Sequence, residues 1–173
     1  MKKWRKGIII FFILIFGITT LVFMPIKEAL VFEYQNTEKV LAYLPSKKEQ
    51  AFQIKYTHSI HLSDVVESYQ VSTDGQLKQF ELQFEDFAIG MPSEAGEGET
   101  FEEKNGIYYI KNMNRVFPYF DLRTGKVRAN HKIIFEDREY PLSNYIEPGT
   151  WVRIKFKRIN LLQRLKGANI LDK

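Results

Sequence analysis

Two hydrophobic rhythms divide the chain. From Gly7 to Ile26, twenty consecutive residues carry no charge. At about 1.5 Å per residue, a helix of that length spans roughly 30 Å, the thickness of bilayer hydrocarbon. From Lys27 onward the apolar residues come in short β-prone runs broken by polar turns. Leu30–Tyr34 and Val40–Leu44 come first, then Gln50–Val71, then Leu77–Phe87, whose mixed alternation predicts a bulge. Ile107–Ile110 and Val116–Phe120 follow, then a tight hairpin over Lys132–Pro141. Trp151–Ile159 alternates cleanly, with Val152, Ile154 and Phe156 on one face. Leu161–Leu165 alone reads as helix, with Asn160 as N-cap and Gly167 as stop.

Many short strands with almost no amphipathic helix predict an all-β fold, an antiparallel β-sandwich or open barrel, behind one N-terminal transmembrane helix. The expected organisation is a cytoplasmic basic tail over 1–6, a transmembrane signal-anchor over 7–26 and an extracytoplasmic β domain over 27–173. Lys2, Lys3, Arg5 and Lys6 precede the apolar segment, and basic flanks stay cytoplasmic. The segment ends in Val22-Phe23-Met24-Pro25, without the small residues of a cleavage site, so an uncleaved single-pass anchor in the cell membrane is expected.

Composition changes this picture little. A 45% hydrophobic share with 14% aromatics supplies a packed core. The chain has no cysteine, which excludes disulfides, thiolate metal sites and a cysteine nucleophile. The net charge of +4 belongs to the amino-terminal tail. Without those four residues the remaining basic residues only equal the acidic ones, so no nucleic-acid partner is expected.

The densest chemistry lies in Gln50–Val71. Phe52, Ile54, Tyr56, His58 and Ile60 share one face of the first strand. With His61-Leu62-Ser63-Asp64 as the turn, Ile60 lies opposite Val65, His58 opposite Glu67 and Tyr56 opposite Tyr69. An imidazole would then meet a carboxylate among aromatics, as an ion pair, a proton relay or a ligand-orienting hydrogen bond, or as a polar pair that only sets register. Ser59 points to the other face, which argues against a serine nucleophile activated by His58. No catalytic residue, metal site or cofactor is expected. His58 and His61 split across faces, and His131 sits unplaced in a loop. The acidic stretch from Glu94 to Glu103 reads mainly as a solvated loop without EF-hand order. Just ahead of it, Gly90 and Pro92 mark backbone lying close to the core. At the carboxyl end, Arg153, Lys155, Lys157 and Arg158 belong to a run with few acidic neighbours. It reads either as a protected strand edge or as a contact for anionic headgroups or an acidic partner.

Tyr56-Thr57-His58-Ser59, Glu67-Ser68-Tyr69 and Phe87-Ala88-Ile89-Gly90-Met91-Pro92 resemble successive blocks of a small bacterial family, domain of unknown function eighteen-fifty. The resemblance implies no activity. Members are often encoded beside TAXI-type TRAP transporters, which implies an accessory role at a solute-uptake system. The reading that follows is an extracytoplasmic binding or accessory module, with Tyr56, His58, Ser59, Glu67, Gly90 and Pro92 as ligand-binding candidates and a small solute or TRAP component as partner. An envelope hydrolase using His58 and Glu67 and a structural envelope protein without ligand are the alternatives.

Overall fold

A computed structural model describes residues 2–86 and 91–172, apart from the side chains of Lys2, Lys3 and Arg5. Helix α1 (Lys2–Phe23) is long and apolar enough to cross a membrane over Lys6–Phe23, and none of that window is buried against protein. It takes in the basic tail and stops earlier than the apolar run, because the residue before Pro25 disfavours helical backbone.

The rest is β1 (Lys27–Tyr34), β2 (Val40–Pro45), β3 (Ala51–Thr57), β4 (Asp64–Val71), β5 (Leu77–Phe84), β6 (Thr100–Lys104), β7 (Ile107–Phe117), β8 (Phe120–Arg123), β9 (Lys132–Phe135), β10 (Arg138–Pro141), β11 (Trp151–Ile159), helix α2 (Leu161–Lys166) and β12 (Ala168–Asn169). The strands form two sheets, in orders β12-β2-β1-β11-β8 and β10-β9-β3-β4-β5-β7-β6. All pairs are antiparallel except the two-residue β12–β2 contact. The fold is therefore a β-sandwich behind an apolar helix, as the strand spacing predicts.

The alternation explains the core. Leu30 and Phe32 of β1, Ala42 and Leu44 of β2, and Val152 and Ile154 of β11 face Phe52, Ile54, Tyr69, Val71 and Leu77 of the opposite sheet. Each fully buried side chain of this size contributes about 1.5–3 kcal/mol. The seven-stranded sheet is the wider one. A second cluster on it joins Val65, Leu82, Phe84, Ile110 and Met113, with Tyr56, Met91, Phe101 and Tyr108 packed against it.

Two strands differ from expectation. Ile107–Phe117 is one strand rather than two, because a register shift between Gln79 and Glu81 of its partner β5 and positive φ at Asn112 absorb the irregular middle. Thr100–Lys104, which reads as acidic loop, is an edge strand, with Glu102 paired to Lys111 at 2.6 Å.

The carboxyl-terminal cations are also placed differently from their sequence environment. Arg153 meets Asp121 at 2.9 Å, Lys155 and Lys157 both meet Glu33, and Arg158 meets Glu28. Carboxylates from β1 and β8 thus balance the run across the sheet. Glu33 is only 1% exposed. Burial pushes its carboxyl up, but the hydrogen bonds from Lys155 and Lys157 prevail and hold it below the ordinary value.

Candidate functional site

The hairpin at the centre of the site closes in a different register from the one its alternation suggests. Tyr56 lies opposite Val65, Ile54 opposite Glu67 and Phe52 opposite Tyr69. β3 ends at Thr57, and residues 58–63 form the connection. The His58 N–H donates to the Ser63 carbonyl at 2.8 Å and the Leu62 N–H to the His58 carbonyl at 3.0 Å. The slip is four positions, an even number, so Phe52, Ile54, Tyr56, Val65, Glu67 and Tyr69 keep their predicted face, while His58 and Ile60 leave the strand for the connection. The expected His58–Glu67 meeting is nevertheless corrected, since Ile54 occupies the place opposite Glu67. The reason is packing: this register puts Phe52, Ile54, Val65 and Tyr69 in the core and leaves Ile60 61% exposed.

His58 lies in the connection with its ring centroid 5.9 Å from that of His61. Ser59 is exposed, and its carbonyl accepts from Arg128 Nη1 at 3.3 Å. Glu67 remains on the inner face. Burial pushes its carboxyl above the ordinary value, and the hydrogen bond from the Tyr69 hydroxyl at 2.8 Å only partly opposes that. The Tyr69 ring is held between Phe52 and Phe120, with centroids 5.4 and 4.8 Å away, so its hydroxyl is aimed rather than free to swing.

Tyr56 completes the arrangement. Its phenol is pushed up to about 12 by burial and by the Glu67 charge, and its hydroxyl has no hydrogen-bond partner among the described residues. The imidazole behind it is His131, stacked at 5.3 Å. The His131 Nδ1 accepts the Gly125 N–H at 3.2 Å, which leaves the ring proton on Nε2. Burial lowers the pKa of this histidine, favouring the neutral ring. Local sequence carries no signal for His131, because the 124–131 loop reaches β3 only through the fold. One such link is the Thr57 N–H to Ala129 carbonyl bond at 2.9 Å.

Gln79, buried and paired opposite Tyr69, adds an inward polar group that the irregular β5 pattern conceals. Met91 packs on the same cluster as Tyr56, and Pro92 next to it in the chain is half-buried; Gly90 lies outside the described residues. Tyr56, Glu67 and Met91, each from a different block, therefore gather around one inner surface, whereas His58 and Ser59 stay on the hairpin connection. Among the described residues, no group of three or more His, Asp or Glu is placed to hold a metal ion. A carboxyl with a raised proton affinity, one aimed phenol and one unengaged phenol can accept and donate hydrogen bonds to a small polar group.

These features define a class: a β-sandwich domain behind an apolar helix, with a carboxyl–phenol centre on the inner face of its wider sheet. The chain belongs to the DUF1850 family, described as a domain of unknown function, which it matches over residues 52–142. Among curated proteins and among solved structures, none matches this chain.

Proposed function

We propose that this protein is a single-pass, outward-facing binding module that presents a small polar solute to a solute-uptake system of the TAXI-type TRAP class. The carrying observation is the Glu67 carboxyl inside the sandwich, bonded by Tyr69 while the Tyr56 hydroxyl faces no partner among the described residues. Among the described residues no buried side-chain polar atom is left unpaired, so the Tyr56 hydroxyl reaches solvent; a solvent-reaching phenol beside a carboxyl of raised proton affinity suits a site for a polar ligand. The basic residues ahead of the apolar segment, in the first turns of α1, support the orientation. The family resemblance supports the transporter partner.

The test uses the full chain in lipid nanodiscs, titrated calorimetrically with a panel of amino acids, organic acids, amines and sugars. Loss of a charge-assisted hydrogen bond in Glu67→Gln is expected to weaken binding about tenfold or more, and Tyr56→Phe by a smaller factor. A solute bound equally by both variants would remove the site, and no response to any solute would remove the binding function. Crosslinking in native membranes is expected to recover a TRAP membrane subunit; recovery of none would remove that partner.

A further inference from the structure

The short helix near the carboxyl end has an outward face that the sandwich does not use. Leu161 and Leu165 are four apart, hence on one side of α2, and are 38% and 76% exposed. Leu162 and Gln163 instead border Val40 and Lys39 of the sandwich. Asn160 and Gln163 cap the helix reciprocally, with Gln163 N–H to Asn160 Oδ1 at 2.8 Å and Asn160 N–H to Gln163 Oε1 at 3.1 Å. This short turn is thus held in place.

Its position follows from the exit of α1. Only Met24, Pro25 and Ile26 separate α1 from β1, and the Ile26 N–H donates to the Ile159 carbonyl at 3.2 Å. α2 begins two residues after Ile159, and α1 and α2 touch. Phe23, Met24 and Ile26 beside it are each more than half exposed. Arg164 and Lys166 have no ion pair among the described residues, unlike the four paired cations of β11.

We propose that α2 is a foot resting on the lipid surface through which α1 passes, with Leu161 and Leu165 in the acyl boundary and Arg164 and Lys166 on anionic headgroups. This rests on reading α1 as a membrane span. Lipid is favoured over a second copy because α1 fixes the foot at the place where the chain leaves the bilayer.

The chain has no cysteine, so a single nitroxide can be placed at will. The full chain, reconstituted in phosphatidylglycerol–phosphatidylcholine vesicles, is labelled separately through Leu165→Cys, Ile15→Cys and Val127→Cys. Val127 is 89% exposed in the loop beyond β8, toward the opposite end of β11. At position 165, collisions with a water-soluble nickel chelate are expected to fall several-fold below those at 127, while collisions with oxygen rise. Arg164→Glu with Lys166→Glu should reverse part of that protection. Equal nickel access at 165 and 127, with 15 protected, overturns the foot and leaves the anchor standing. Access at 15 as well overturns both. Spin–spin broadening at 165 identifies a second copy as the occupant and likewise overturns the proposal.

Discussion

Glu67 and Glu33 show how the same side chain acquires opposite properties from its neighbours. Glu67 is buried against phenols, and its proton is held more tightly in the folded than in the unfolded chain. Its contribution is therefore most favourable below the unfolded carboxyl value and is lost as pH rises through the raised folded value. Glu67→Gln keeps an acceptor for Tyr69 and removes this loss. Melting temperatures measured from pH 4 to pH 8 should show the variant more stable at neutral pH, with the gain vanishing at the acid end. Glu33 is lowered, so its contribution is present above the unfolded value and lost as pH falls through the folded one. Glu33→Gln leaves two lysines without their counter-charge, though both reach solvent. A loss of about 1–3 kcal/mol in urea denaturation at pH 7, shrinking toward acid, is expected.

At the scale of elements, the hairpin illustrates what alternation can and cannot specify. The faces of β3 and β4 follow from a period of two, whereas the turn position depends on which register fills the space beneath the opposite sheet. α2 depends on its cap and on close packing. Asn160→Ala removes the side-chain oxygen that accepts the Gln163 N–H and should cost about 1 kcal/mol by thermal unfolding. A Cβ at Gly167 would lie 2.9 Å from Val40 Cγ1 and 3.2 Å from the Gln163 carbonyl oxygen. Gly167→Ala should therefore displace α2 from β2, seen as faster amide exchange over 161–167 with the core strands unchanged.

For the whole molecule, the family segment and the folding unit do not coincide. Residues 52–142 contain the seven-stranded sheet and β8, while β1, β2, β11 and β12 lie outside. One sheet with an apolar inner face needs a second layer to bury it. A fragment spanning 52–142 is expected to aggregate or remain unfolded by circular dichroism, whereas residues 27–172 should give a cooperative transition. In that longer unit, Phe84→Ala should cost about 3–5 kcal/mol, because its ring is fully buried.

The chain's own order of residues determined the anchor-like helix, the β class, the inward faces of Tyr56 and Glu67, the Lys132–Pro141 hairpin and the cap at Asn160. Each depends on neighbours a few positions apart, and periodicity and capping record such neighbours directly. Tertiary structure alone decided that His131, not His58, backs Tyr56, that Glu28, Glu33 and Asp121 balance the β11 cations, and that Glu67 faces Ile54. Those outcomes depend on contacts between residues far apart in the chain, and they are set by which strands become neighbours when two sheets close over one core.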